Sequence, residues 1–126
     1  MFLKWLPSSN KYWPTYLWAL FILLLCAIPG QDLPKVWWME LLSIDKPVHA
    51  TLFFVMTLLL YRNLTFLEKP FLTAITSSLI FSMAYGGALE IMQGAYFENR
   101  SADIYDFVAN TTGAILACYF VYRKKI

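Results

Sequence analysis

Four long apolar runs fill most of this chain of 126 residues, and they limit its possible folds more than any other feature. They cover about residues 13–29, 45–61, 71–93 and 103–122. The hydrocarbon core of a bilayer needs roughly 17–25 helical residues, and open strands cannot satisfy their backbone polar groups in lipid. The sequence therefore predicts an all-α fold: a bundle of four transmembrane helices in one domain spanning residues 1–126.

Composition and charge exclude other classes of protein. Hydrophobic residues make up 60% of the chain and charged residues 14%, against roughly 45–50% and about 25% in soluble domains. This excludes a disordered chain and an ordinary soluble enzyme. The high apolar content predicts contact with the lipid bilayer. The net charge of +2 indicates no polyanionic partner, so we expect no contact with nucleic acid. Cys26 and Cys118 lie inside apolar runs and are interpreted as buried thiols.

The first apolar run resembles a signal peptide because Lys4 and Lys11 precede it. Its end, from Leu25 to Gly30, lacks a small-x-small cleavage pattern followed by polar sequence. We therefore expect a retained first helix.

Lysine and arginine in the short loops predict the orientation, since cytoplasmic loops are enriched in both. With four spans, both termini and the loop 62–69 share one side, which carries seven of these residues, and the other side carries three. Both termini should therefore be cytoplasmic, with loops 30–46 and 94–102 outside. The seven are Lys4, Lys11, Arg62, Lys69, Arg123, Lys124 and Lys125; the three are Lys35, Lys46 and Arg100.

The first outward loop contains a half-apolar segment, residues 33–42, which is too short to span a bilayer. It includes the pair Trp37 and Trp38, and tryptophan favours the membrane interface. We expect a short interfacial helix in this extracytoplasmic loop.

Most polar residues of the apolar runs are predicted at the outer side. Asp103, Asp106 and Asn110 follow i, i+3, i+7 spacing and form one helical face. Exposing these polar side chains to lipid would be energetically costly, so they should face other helices or a water-filled cavity. The nine residues gathered there are Asp45, Lys46, His49, Glu90, Gln93, Arg100, Asp103, Asp106 and Asn110.

Packing between helices should bring these residues together. Small residues spaced four apart, including Gly86 and Gly113, let helix backbones approach closely. The third and fourth helices should therefore pack tightly. Glu90 and Gln93 would then meet Asp106 and Asn110.

This set supports several kinds of chemistry. The candidate catalytic residues are His49, Glu90, Asp103 and Asp106, because paired carboxylates beside a histidine suit general acid–base catalysis. The same four could bind a divalent metal, although no compact metal motif is present. A purely structural role as helix caps and interface hydrogen bonds is the alternative for each residue. Candidate binding residues are Asp45, Lys46, Gln93, Arg100 and Asn110.

Three motifs together resemble those of the VanZ-like family. They are Asp45-Lys46-x-x-His49, Glu90-x-x-Gln93, and Arg100-x-x-Asp103-x-x-Asp106-x-x-x-Asn110-x-x-Gly113. The loop Tyr96-Phe97-Glu98-Asn99 departs from the Pro-Gly-Arg that often precedes the third motif.

The resemblance implies a small membrane protein of the bacterial cytoplasmic membrane. The founding member is associated with resistance to teicoplanin, a glycopeptide antibiotic with an acyl chain. It implies action at the outer leaflet on or near a lipid or cell-envelope component, such as a lipid-linked envelope precursor or an acylated glycopeptide. The alternatives are a membrane-embedded hydrolase or transferase and a non-catalytic module that binds a lipid or a protein partner. The resemblance specifies no cofactor.

Overall fold

The computed structural model describes residues 12–27, 45–95 and 104–124. They form four helices: α1 (Trp13–Ala27), α2 (Asp45–Phe66), α3 (Phe71–Ala95) and α4 (Ile104–Lys124). The predicted all-α bundle is confirmed. The largest boundary difference is in α2, which continues five residues beyond the predicted end at residue 61. The predicted interfacial helix at residues 33–42 lies outside the described residues.

Cross-helix contacts establish an up-and-down arrangement of the four helices. Phe53 of α2 lies beside Gly86 of α3, and Thr57 lies beside Ser82, so these two helices are antiparallel. The α4 residue Asn110 also lies beside Gly86. Towards the other end of α3, Cys118 of α4 donates to the Ile75 carbonyl, so α3 and α4 are antiparallel as well.

The bundle buries small and polar residues and exposes large apolar ones. The buried face of α3 includes Ala74, Ser78, Ser82 and Gly86, one residue per turn. The opposite surfaces of the helices carry exposed leucine, isoleucine and aromatic side chains, for example Leu17, Leu20, Leu24, Leu72, Ile80, Phe81, Ile91, Ile115 and Leu116. This distribution suits helices that pack through close contacts while their outer faces meet lipid.

Helix lengths agree with a bilayer. The helices α2, α3 and α4 are each long and apolar enough to span a membrane. At about 1.5 Å per residue they extend roughly 31–38 Å, against a hydrocarbon core of about 30 Å. The described part of α1 has 15 residues and is shorter than a typical span.

The close backbone approach at Gly113 is between α2 and α4 rather than between the predicted pair. A Cβ placed on Gly113 of α4 would lie 1.9 Å from the carbonyl oxygen of Ala50 in α2. The helices α3 and α4 do pack together, since a Cβ on Gly87 would lie 3.4 Å from the Phe107 ring. The prediction that Gly113 serves the contact between the third and fourth helices is therefore wrong. Gly113 of α4 faces α2.

Buried and half-buried side-chain hydrogen bonds connect the helices. The hydroxyls of Thr57 and Ser82 are 2.7 Å apart between α2 and α3. Trp18 of α1 donates from Nε1 to the Leu52 carbonyl of α2 at 2.9 Å. Such bonds fix the rotation of apolar helices, because an unpaired polar group in a bilayer is costly.

The connection between α2 and α3 is a tight helix cap. The Lys69 N–H donates to the Leu64 carbonyl, and the Glu68 N–H donates to the Thr65 carbonyl. This is the Schellman pattern, whose penultimate residue adopts the left-handed conformation. Glu68 has a φ of 57°, and Pro70 then prevents the helix from continuing.

Candidate functional site

One end of the bundle, which we call the site end, collects most of the predicted polar residues. It is formed where α1 and α3 finish and where α2 and α4 begin. The Gln93 side chain in α3 donates to the Cys26 carbonyl in α1. The Lys46 side chain in α2 contacts Asp106 in α4. All four helices therefore contribute to this end.

Asp106 lies between two basic side chains of α2. The Lys46 ammonium forms an ion pair with its Oδ1, and His49 Nε2 lies 3.6 Å from its Oδ2. Lys46 and His49 reach the same carboxylate because they are three residues apart on one helix. The Lys46 side chain is 31% exposed and that of Asp106 is 16% exposed. This ion pair therefore lies near the surface of the bundle and not in its core.

Glu90 and Asn110 lie deeper at the site end. Glu90 is 7% exposed and Asn110 is 2% exposed. Because Gly86 lies against Asn110 and α3 and α4 are antiparallel, four residues along each helix brings Glu90 to the level of Asp106. Facing stripes of α3 and α4 therefore carry one carboxylate each at similar depth.

Three buried side-chain atoms in this part of the bundle have no hydrogen-bond partner among the described residues. They are His49 Nδ1, Asn110 Oδ1 and Thr111 Oγ1. Buried polar groups in native proteins are nearly always paired, so each orphaned atom calls for an explanation. A carbonyl oxygen such as Asn110 Oδ1 can accept from a ligand N–H or O–H group.

Several predicted residues fall outside what the structure describes. Asp45 begins α2, but its side chain is not described, and Arg100 and Asp103 lie between α3 and α4 in undescribed sequence. Within residues 12–27, 45–95 and 104–124, no group of three His, Cys, Asp or Glu side chains is placed to hold a metal ion.

The sequence predicts that Gln93 contacts Asp106 or Asn110 of α4, but the hydrogen bond of its side chain is to α1. Its Nε2 donates 3.3 Å to the Cys26 carbonyl of α1. Sequence spacing placed Gln93 on the right face of α3, since it is buried, but could not identify α1 as its neighbour.

Sequence reasoning also missed two roles. It did not identify Lys46 as the ion-pair partner of Asp106, and the structure places the two side chains together. It assigned Arg62 to a cytoplasmic loop, which is wrong, because α2 continues through Arg62 and its side chain is buried. The signal for the second role was present: Leu64 and Phe66 extend the apolar pattern beyond Arg62.

Together these features define a class: a small helical integral membrane protein with polar groups buried between its helices. The chain belongs to the VanZ/LLP1 family, whose family model matches residues 1–125. This confirms the resemblance indicated by the three sequence motifs. A search of curated proteins and a search of solved structures give no significant match.

Proposed function

We propose that this VanZ-family protein binds a lipid or cell-envelope component at the extracytoplasmic face of the bacterial cytoplasmic membrane. The observation that carries the proposal is the polar group formed by Lys46, His49 and Asp106 beside the buried Glu90 and Asn110. Ionisable side chains within transmembrane helices are costly to insert, and they mark candidate functional sites.

The proposed ligand carries hydrogen-bond donors next to an apolar chain. Asn110 Oδ1 is a buried acceptor without a partner, and peptide N–H or sugar O–H groups would satisfy it. The exposed apolar faces around the site end, including Ile91 and Ile104, suit an acyl chain. A lipid-linked envelope precursor and an acylated glycopeptide both have these two parts, which connects the site to teicoplanin resistance.

The charge distribution supports the orientation in this proposal. The end opposite the site carries four described basic residues, Arg62, Lys69, Arg123 and Lys124. Glu68 is an acidic residue described at the same end. Excess lysine and arginine favours the cytoplasmic side. Both termini would then be cytoplasmic, and the site end would face outward.

A catalytic version of the proposal has one observation in its favour. The carboxylate of Asp106 lies 3.6 Å from His49 Nε2, and a carboxylate can orient and stabilise a histidine that transfers protons. Glu90 at the same level would be the second acid–base group. This is the hydrolase or transferase alternative, with His49, Glu90, Asp103 and Asp106 as its residues.

Substitution of Glu90 by Gln tests the function. The amide keeps the shape and hydrogen bonding of the side chain and removes its charge, so the folded bundle should persist in detergent. Protection of a susceptible bacterial host against teicoplanin should fall to the level of an empty vector. Glu68→Gln is the matched control, because Glu68 is an exposed glutamate at the opposite end.

Full protection by the Glu90→Gln protein would remove Glu90 from the proposed site.

The substitution His49→Gln distinguishes the binding module from the membrane-embedded enzyme. A binding module should retain partial protection that increases with expression level, whereas a proton-transferring enzyme should lose turnover at every expression level.

Cysteine labelling tests the orientation. In a variant with Cys26 and Cys118 replaced by Ala, single cysteines at position 98 and position 69 are compared in intact cells. A membrane-impermeant thiol reagent should label position 98 and leave position 69 unlabelled until the cells are opened. The reverse pattern would move the site to the cytoplasmic leaflet.

A further inference from the structure

Arg62, at the end of the bundle opposite the site, has a buried charged side chain. It is 2% exposed and has the largest volume among the fully buried side chains of the described residues. Its Nε and Nη1 atoms are buried and have no hydrogen-bond partner in the part of the chain that the structure describes. A guanidinium is always charged in proteins and presents five N–H donors.

The described surroundings of Arg62 compensate this charge weakly. The Phe66 ring lies 4.7 Å from the guanidinium carbon, which is a cation–π contact. The neighbouring polar side chain, Asn63, donates to Thr15 of α1 instead. Removing a charge from water without a partner costs far more than one ring contact returns.

The position of Arg62 suits a lipid headgroup. It lies four residues before the end of α2 at Phe66, about 6 Å along the helix axis. An arginine at this depth lies within about one side-chain length of the headgroup level. Lys69, Arg123 and Lys124 are exposed at the same end, so the local charge attracts anions.

We propose that Arg62 anchors a binding site for the phosphate group of an anionic phospholipid. The planar guanidinium matches phosphate in a two-point contact and is less strongly hydrated than an ammonium group. The phosphate supplies the acceptor oxygens that the buried nitrogens lack, and the exposed cations add attraction at longer range. This site is separate from the one proposed at the site end and does not depend on its function.

Lipid-dependent stability of the purified full-length protein tests the site. The melting temperature in a neutral detergent is measured with phosphatidylglycerol, phosphatidylcholine or inorganic phosphate added. Phosphatidylglycerol should raise the melting temperature of the wild type by several degrees more than phosphatidylcholine does. Arg62→Gln should lose most of this difference, and Arg62→Lys should keep part of it.

Lys69→Gln is the matched control, because it removes one exposed cation at the same end and should retain most of the difference. A rise with inorganic phosphate alone would support the phosphate site and assign it to a soluble phosphate. An Arg62→Gln protein that keeps the full phosphatidylglycerol effect would overturn the proposal.

Native mass spectrometry of the wild type covers the case in which Arg62→Gln does not fold. Offered equal amounts of the two lipids, the protein should retain phosphatidylglycerol at least several-fold more often. Equal retention of both lipids would overturn the proposal without any variant.

Discussion

Replacing Gly113 by Ala should separate α2 and α4, because the added methyl group has no space. The new Cβ would lie 1.9 Å from the oxygen, 2.7 Å from the carbon and 2.9 Å from the Cα of Ala50. All three are backbone atoms, so no side chain can rotate away. Ordinary contact begins at 3.4 Å, and the helices must therefore move apart by up to about 1.5 Å.

The expected cost follows from overpacking. Inserting a methyl group into a packed core costs typically about 1–3 kcal/mol and more where only backbone can move. Alanine returns roughly 1 kcal/mol of helix propensity over glycine. Because only backbone can move at Gly113, we take the upper end of this range, about 3 kcal/mol, and subtract the helix-propensity gain. We therefore expect Gly113→Ala to lower the free energy of unfolding by about 2 kcal/mol, measured by titration of detergent-solubilised protein with sodium dodecyl sulfate.

The same substitution at Gly86 and at Gly87 of α3 provides the controls. A Cβ on Gly87 would meet the Phe107 ring at 3.4 Å, so Gly87→Ala should be neutral or stabilising. Gly86→Ala should be intermediate, because its Cβ would lie 3.1 Å from the Phe53 ring, which can shift slightly. Equal stability of Gly113→Ala and Gly87→Ala would refute the close contact between α2 and α4.

Three further predictions concern single contacts. Glu68→Gly should stabilise the protein by roughly 1 kcal/mol, since a residue with a φ of 57° is strained unless it is glycine; a destabilised variant in the same titration would contradict this. A double-mutant cycle with Thr57→Val and Ser82→Ala should give a coupling of roughly 0.6–1.7 kcal/mol, whereas purely additive effects would mean that the hydroxyls do not interact. A cycle with Lys46→Gln and Asp106→Asn should give about 0.5–1 kcal/mol, decreasing with added salt because the pair is partly exposed. A coupling energy that does not change with salt would contradict a partly exposed ion pair between Lys46 and Asp106.

The approximate bounds of the four described helices could be predicted from sequence because they depend on local properties. Apolar runs of bilayer length must be helical in lipid, and the start of α3 at Phe71 follows from Pro70 before it. The grouping of polar residues at one end also follows from position along the chain. His49, Glu90 and Asp106 all lie near helix termini that an up-and-down bundle brings together.

The partners of individual side chains were decided by the tertiary structure. Gly113 contacts Ala50 of α2, Gln93 bonds to Cys26 of α1, and Lys46 pairs with Asp106. Each of these contacts depends on how far one helix is rotated and shifted against another. Periodicity identifies which residues share a face of a helix, but many rotations bury similar apolar area, and the chosen one depends on backbone contact and on hydrogen bonds between distant residues such as Thr57 and Ser82.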